Sequence, residues 1–134
     1  MLRFAVLAGA LALVACQAPK PTLDPEAQPI AHAFFDEVRS GGDLSADTHL
    51  AHELKTPATV EELAEFKSMI PTDPPASVTL KSWDAKIDNT GTTTRIAEIY
   101  DYVDHKLLVQ TAFFKSPGGR DPVIVGFDVK DGGS

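Results

Sequence analysis

The chain has 134 residues, a formal net charge of −7 and one cysteine. That length suits a single domain with its own hydrophobic core, and one cysteine excludes an intramolecular disulfide. The negative charge is not offset by any lysine or arginine cluster, which argues against binding to nucleic acid or to anionic headgroups. Attachment to a membrane would therefore have to come from something other than a basic patch.

The first fifteen residues have the pattern of a secretory leader. A short positive start containing Arg3 is followed by twelve uncharged residues, Phe4 to Ala15, which fit the apolar region of a signal peptide. A helix that spans a bilayer needs about 20 apolar residues, so this run is too short to be one. We therefore assign residues 1–15 to a signal peptide.

The residues that close this run, Leu13-Val14-Ala15-Cys16, resemble the lipobox of bacterial lipoproteins. The resemblance implies cleavage before Cys16, attachment of diacylglycerol to its thiol, and usually acylation, as by palmitate, of the new amino terminus. Two or more acyl chains anchor a protein stably, whereas one is marginal. The alternatives are an ordinary signal peptide with an incidental cysteine and an uncleaved anchor.

The resemblance also implies a location in the bacterial cell envelope. An aspartate after the lipidated cysteine tends to retain a Gram-negative lipoprotein in the inner membrane, and Gln17 stands at that position here. The expected location is thus the periplasmic face of the outer membrane. Four prolines lie between Gln17 and Pro29, so residues 16–28 are predicted to form an extended tether. Its reach would be up to roughly 40 Å at about 3.1 Å per residue.

Residues 29–134 are predicted to form the folded domain, beginning with three helical segments. The first covers residues 30–40, with an apolar stripe at Ile30, Phe34 and Val38. A weaker helix is predicted over about 47–55, with its inward residues at Leu50, Ala51 and Leu54. A third follows Pro57: Thr59 and Glu62 match a capping box, and the apolar stripe continues through Val60, Leu63, Phe66 and Ile70.

Four strands are predicted next, over residues 77–88, 93–103, 106–116 and 122–130, because the apolar residues alternate there. Turn signals between them are short, which implies antiparallel neighbours: Asn89-Thr90-Gly91, Asp104-His105 and Pro117-Gly118-Gly119. The parity of the first strand changes at Lys81-Ser82, which predicts a β-bulge there. The last strand is predicted to place one set of residues on a single face: Val123, Val125, Phe127 and Val129.

The predicted fold class is α+β, with N-terminal helices packed on a curved four-stranded antiparallel sheet. The segments AFFDEVRSGG, IPTDPPASVTLKSWDAK and VIVGFDV, in this order, are similar to the nuclear transport factor 2-like (cystatin-like) fold, a cone of sheet and helices. The similarity covers about residues 28–130. That superfamily includes isomerases, dehydratases, polyketide cyclases, adaptor modules and inert domains, so the fold alone does not define the function.

Four aromatic residues are candidates to line such a cone and bind a small apolar ligand: Trp83, Tyr100, Tyr102 and Phe113. The alternative is that they fill the core. His32 is interpreted as a core or boundary histidine that finds a partner.

Acid–base chemistry has one candidate group, Asp101, Tyr102 and His105, which lie close together near a predicted turn. No catalytic motif maps onto these positions. His49 and His52 stand three residues apart, but HLAHE is not the HExxH zinc motif and no third ligand is evident. No catalytic residue, metal or cofactor is therefore predicted.

The sequence thus predicts a lipid-anchored bacterial envelope lipoprotein whose small α+β domain acts by binding or protein association, without catalysis. The expected partners are the membrane, through lipid on Cys16, and either a second copy of the chain or an envelope protein, but no nucleic acid. The sequence does not identify a small ligand. The alternative function is a small periplasm-facing enzyme of the isomerase or cyclase type that uses an acid in the cone.

Mass spectrometry of the protein from a bacterial host tests the anchor. We expect a mature chain that begins at Cys16 and carries diacylglycerol on its thiol, because the lipobox directly follows the apolar core of the leader. Cys16→Ser should release the domain from the membrane or leave it as an unprocessed precursor. An intact leader on the wild-type chain, or an unmodified Cys16, would contradict the assignment.

Overall fold

A computed structural model describes residues 22–119 and 121–133 of the chain. Its helices are α1 (Ala27–Ser40) and α2 (Pro57–Met69), with short 3-10 turns at Leu44–Ala46 and His52–Leu54 between them. The strands are β1 (Ser77–Asp88), β2 (Gly91–Asp101), β3 (Lys106–Lys115) and β4 (Val123–Gly133). They form one antiparallel sheet in the order β1-β2-β3-β4, which confirms the α+β class. The leader and Cys16 lie outside the described residues.

Helix α1 begins earlier than the apolar stripe predicted. Pro29 lies in its first turn, where the missing N–H costs no helical hydrogen bond. The helix ends at Gly41, whose φ of 74° is left-handed and whose N–H donates to the carbonyl of Val38, as glycine commonly does after a last turn. One side of α1 is buried in the core: Ala27, Ile30, Ala31, Phe34, Phe35 and Val38.

The residues just before α1 belong to the folded part of the chain, although the sequence placed them in the tether. Leu23 packs against the hydrophobic core, and Ala27 is buried within it. Asp24 receives a hydrogen bond from the Ala27 N–H, and its carboxylate lies 3.5 Å from Lys115 Nζ. Burial of apolar surface explains this attachment, since even one partly buried leucine contributes on the order of 1 kcal/mol. Among the residues assigned to the tether, those from Leu23 onward therefore contact the domain.

The prediction of a helix over residues 47–55 is wrong. This segment instead carries a short stretch of backbone that bonds to β4: the Ile124 N–H donates to the His49 carbonyl at 2.6 Å, and the Ala51 N–H donates to the Ile124 carbonyl at 2.9 Å. Leu50 and Ala51 are buried, as predicted, but by this pairing. A helix this short is marginal on its own, whereas the free edge of β4 offers ready hydrogen-bonding partners.

The N-terminal cap of helix α2 lies three residues before the predicted cap at Thr59. This cap is Thr56, whose hydroxyl accepts a hydrogen bond from the Thr59 N–H at 3.3 Å, and Pro57 follows at the first helical position. Proline is favoured at that position, so the Thr56-Pro57 pair is a stronger start signal than the predicted capping box. Leu63 is buried and Phe66 packs against the core, whereas Val60 is exposed.

The predicted bulge in β1 is confirmed. The pairing between β1 and β2 shifts between Leu80 and Ser82, so the apolar residues on either side of the shift share one face. We call this the inner face, because its β2 side chains contact α1. Its β1 residues are Val78, Leu80, Trp83, Ala85 and Ile87, which pair with Tyr100, Glu98, Ile96, Thr94 and Thr92 of β2.

A second irregularity, which the sequence did not indicate, lies between β3 and β4. The register shifts between Ala112 and Phe113, so that Phe113 pairs with Ile124 and Ala112 pairs with Gly126. Ile124 is therefore buried and Val125 is exposed, which corrects the predicted alternation in β4. Phe127 and Val129 pair with the inner-face residues Thr111 and Val109, and Phe127 contacts the rings of Phe34 and Phe66.

The two helices do not cover the whole inner face. Helix α1 contacts β2 through Tyr100 and β4 through Phe127, and α2 packs on α1 and β4. At the opposite edge β1 is largely exposed: Trp83 keeps 37% of its surface and Ile87 keeps 66%. The helical layer is thus displaced toward β4 and leaves the inner side of β1 open.

A carboxyl pair ties α1 to the segment that covers β4. The hydrogen bond between Glu37 and Asp47 is the main cause that raises the pKa of Glu37 to about 7, with burial and the Asp47 charge adding to it. Burial acts to raise the pKa of Asp47, but hydrogen bonds from Glu37 and from the backbone N–H groups of His49 and Leu50 together lower it below its ordinary value. Protonated Glu37 therefore donates to ionised Asp47.

This pair predicts a pH dependence of stability. In the unfolded chain Glu37 loses its proton near its ordinary pKa of 4.5, but in the folded chain it keeps the proton up to about pH 7. The folded state binds more protons across that window, so the free energy of unfolding should fall as the pH rises from 4.5 to 7. Urea titrations at several pH values would measure the fall.

The matched variants are Glu37→Gln and Glu65→Gln. Glu37→Gln should remove most of the decline, because glutamine has no proton to lose and can still donate to Asp47. Glu65 is an exposed glutamate of α2, and its replacement should leave the decline in place. An equal pH dependence in wild type and Glu37→Gln would refute the role of the pair.

Candidate functional site

An acidic side chain lies at the centre of the inner face. Glu98 stands in the middle of β2, between Ile96 and Tyr100 on the same face, and its exposure is 0%. A carboxylate at such a position is costly unless hydrogen bonds or an opposite charge compensate it. Its contacts therefore determine what the site can do.

Helix α1 supplies the partners of this carboxylate. His32 Nε2 lies 2.6 Å from Glu98 Oε2, and Gln28 Nε2 donates to the same oxygen at 3.3 Å. His32 and Gln28 stand one helical turn apart and so reach the same point of the sheet. The His32 side chain is 42% exposed, which leaves the ring between the buried acid and solvent.

The second oxygen of this carboxylate has no partner. Glu98 Oε1 is buried without a hydrogen bond, and the Tyr102 hydroxyl and Thr111 Oγ1 share that condition among the described residues. Thr111 belongs to β3 and points to the inner face, as Glu98 does. Unpaired buried polar atoms are uncommon in folded proteins and suggest a strained or a functional position.

Tyr100 lies directly beside this acid. Its ring packs on Phe35 with centroids 4.1 Å apart and meets the edge of His32 at 6.2 Å. Burial, with a further contribution from the charge of Glu98, raises the pKa of Tyr100 well above its ordinary value. The phenol therefore stays protonated and acts only as a neutral polar group.

The four aromatic residues predicted to bind a ligand are not gathered around one opening. Tyr100 and Tyr102 are buried in the core, and Tyr102 stacks on His105 with ring centroids 5.5 Å apart. Phe113 lines a cleft beside the start of α1, and Trp83 lines a separate groove with residues of β2 and β3. Neither of these two openings is lined by Tyr100 or Tyr102.

The cleft beside α1 is the larger of the two openings. It has a volume of about 540 Å³, which falls in the range of small-molecule sites. One wall comes from the residues that lead into α1, and the other is the inner face of the sheet near the β1–β2 turn. We name it the entry cleft and define it by its lining: Thr22, Asp24, Pro25, Glu26, Ala27, Ala85, Ile87, Thr92, Thr94, Phe113, Lys115 and Pro122.

The polar groups of the entry cleft lie at its rim. Lys115 Nζ faces the carboxylate of Asp24 at 3.5 Å, a contact longer than a strong ion pair. Deeper in the cleft the side chains are apolar or carry a single hydroxyl, as Phe113, Ala85 and Thr94 do. This arrangement fits a molecule with an apolar body and a hydrogen-bonding end.

The other candidates from the sequence form no active site. The Asp104 carboxylate at the β2–β3 turn holds His105 Nδ1 at 2.7 Å, and that contact lowers the pKa of Asp104. The helix that would have placed His49 and His52 on one side is not formed. Within residues 22–119 and 121–133, no three histidine, cysteine, aspartate or glutamate residues cluster closely enough to hold a metal ion.

Glu98 was missed by the sequence analysis, although a signal for it was present. On the inner face of β2 the neighbours of Glu98 are Ile96 and Tyr100, so Glu98 occupies the inward position between two apolar residues. A charged residue at an inward position of an otherwise apolar series marks a buried polar contact. Its partner His32 was correctly interpreted as a histidine with a satisfied contact, but the contact itself was not identified.

Comparison with known proteins found no match to this chain. No protein-family model matches it, and neither a curated protein nor a solved structure matches it significantly. Among the helices of the described part of the chain, none is both long and apolar enough to cross a membrane.

Carbodiimide labelling in water measures whether Glu98 can be reached from solvent. In the native chain we expect Glu98 to stay unlabelled, because it is buried and His32 lies over it, while the exposed Asp84 reacts. His32→Ala should remove this cover and raise the labelling of Glu98 severalfold. His105→Ala, which removes a half-buried histidine at the β2–β3 turn, should change nothing at Glu98. Rapid labelling of Glu98 in the native chain would contradict its enclosure.

Proposed function

We propose that this protein is a lipid-anchored lipoprotein of the bacterial envelope whose nuclear transport factor 2-like domain acts by binding and not by catalysis. The lipobox at Leu13-Val14-Ala15-Cys16 supports the anchor and the location at the periplasmic face of the outer membrane. Two helices followed by a bulged antiparallel sheet support the fold assignment. The entry cleft is the proposed binding site.

One observation favours binding over catalysis: the acid on the inner face, Glu98, is enclosed, whereas the entry cleft is open to solvent. Glu98 has no exposed surface and does not line the entry cleft. A general acid or base must come within hydrogen-bonding reach of its substrate. The entry cleft, by contrast, offers an apolar interior with a polar rim and no acid–base pair at its base.

The second candidate is an enzyme of the isomerase or cyclase type, with Glu98 as the acid of the cone. The observation that favours it is the unpartnered oxygen Glu98 Oε1, which lies buried on the inner face. A substrate could use that oxygen only if α1 moved away from the sheet. The labelling of Glu98 in the native chain therefore separates the two candidates.

Binding of the amphiphilic dye 1-anilinonaphthalene-8-sulfonate, which has an aromatic body and a sulfonate end, tests the entry cleft. The protein for this test is the chain from Gln17 onward, exported behind a leader without a lipobox, which contains every described residue and needs no detergent. We expect Thr92→Phe to weaken dye binding about tenfold, because the phenyl ring would fill space in the cleft that the dye would otherwise occupy.

Thr93→Phe is the matched control. Thr93 is the next residue of β2 and points to the opposite face of the sheet, since strand side chains alternate. The same substitution there should leave dye binding unchanged. Equal loss in the two variants, or no dye binding to wild type, would refute the cleft as the binding site and leave the lipid anchor untouched.

A further inference from the structure

The outer edge of β1 is an unpaired strand edge. β1 has twelve residues and forms one end of the sheet, so one side of its backbone has no strand beside it. Long exposed edges readily pair with other strands, and proteins usually cover them or interrupt them. The opposite edge is occupied near its start, where residues 49–51 bond to Ile124 of β4. The edge of β1 has no such cover among the described residues.

We propose that β1 pairs antiparallel with β1 of a second copy, with the two-fold axis at Ala85. This pairing joins the two sheets into one and brings Trp83 of each copy next to Ile87 of the other. It goes beyond the proposed binding function and stands on the geometry of β1 alone.

The backbone of β1 is arranged for this register. The β1–β2 turn has two residues and closes on the pair Asp88 and Gly91, and a two-residue loop closes on a hydrogen-bonded pair. Alternation along β1 then directs the N–H and C=O groups of Trp83, Ala85 and Ile87 to the free edge. In an antiparallel pair centred on Ala85, these three residues oppose Ile87, Ala85 and Trp83 of the second copy and hydrogen bond with them.

The side chains are complementary in the same register. Asp84 opposes Lys86 of the second copy on the outer face, which forms two equivalent opposite-charge pairs. On the inner face Trp83 opposes Ile87, and both are large apolar side chains of residues 82–88 that the helices leave exposed, at 37% and 66%. This register places no like charges opposite each other, and it places no inner-face residue opposite an outer-face residue.

The bulge limits the pairing to the regular part of β1. The shift between Leu80 and Ser82 ends the even alternation, so residues 82–88 are the segment available for a partner strand. Because the two-fold axis joins the same edge of both copies, the pairing uses up both β1 edges and closes at two copies.

The pairing also adds a residue to the entry cleft. Ala85 and Ile87 form its open side, and Trp83 of the second copy would lie beside Ile87 on the same face. The indole would then close that side of the cleft. The dimer therefore completes the proposed binding site, with one tryptophan contributed by each copy to the other.

Disulfide trapping in intact cells tests the register on the full chain. In an antiparallel pair centred on Ala85 the two Ala85 Cα atoms lie about 5.5 Å apart, within the range that a disulfide bridges. We expect Ala85→Cys to form a disulfide-linked dimer on mild oxidation. Thr79→Cys is the matched control on the same strand, because its two copies would be about 40 Å apart. The wild-type chain measures the background from Cys16.

Sedimentation equilibrium on the chain from Gln17 onward provides a second measurement. Lys86→Asp places Asp84 against an aspartate in both pairs and should weaken dimerisation roughly tenfold. Lys81→Asp makes the same change in charge at the bulge, outside residues 82–88, and should leave the dimer intact.

The results separate this proposal from the proposed function. Cross-linking at Ala85 alone, with weakening by Lys86→Asp alone, supports the pairing whether or not the dye binds the entry cleft. A monomer in sedimentation, cross-linking at neither position or equally at both, or equal effects of the two lysine variants would overturn the pairing. None of these outcomes bears on lipid at Cys16, and the comparison of Thr92→Phe with Thr93→Phe tests the cleft whether the chain is a monomer or a dimer.

Discussion

The displacement of the helical layer toward β4 is the constraint on which the rest of the molecule depends. A helix is about 10 Å across and strands are about 4.8 Å apart, so each helix covers roughly two strands. Here α1 lies over the middle of the sheet and both helices meet Phe127 of β4. Coverage is therefore greater at β4 than at β1, where Leu80 packs against the core but Trp83 and Ile87 stay exposed. The enclosure of Glu98, the position of the entry cleft and the exposure of Trp83 and Ile87 all follow from this offset.

The enclosed carboxylate and the open cleft have opposite roles in this arrangement. Glu98 fixes the angle at which α1 crosses the sheet, because Gln28 and His32 both converge on one of its oxygens. A buried pair of this kind contributes less to stability than to the choice of one packing arrangement over others, a role attested in some proteins. The entry cleft is open because α1 does not cover the inner side of β1.

Features that depend on local backbone chemistry could be predicted from the sequence. The four strands, their short turns and the bulge at Lys81-Ser82 follow from alternation and from turn residues, and the structure has them. The apolar stripe of α1 could be predicted from the sequence in the same way. Such features involve neighbours in sequence, which a single chain displays directly.

Features that depend on distant residues could not be predicted in the same way. Residues 47–55 form no α-helix because β4, more than 70 residues further along, offers better hydrogen-bonding partners for His49 and Ala51. Ile124 replaces Val125 in the core because the shift in register lies between two strands and leaves no mark in either one. At the candidate site the same limit applied: the contact of His32 with Glu98 joins residues 66 positions apart.

The attachment of Leu23 to the core changes the distance at which an anchored domain would stand from the bilayer. The sequence suggested a tether ending at residue 28, but the chain is already held against the domain at Leu23. Only residues 17–21 then separate Cys16 from Thr22, and even a fully extended chain spans at most about 3.6 Å per residue, or roughly 20 Å over this stretch. With lipid on Cys16, the rim of the entry cleft at Thr22 would stand within roughly 20 Å of the bilayer surface. A sparingly soluble molecule leaving the bilayer would then have only a short aqueous distance to cross before it reached the cleft.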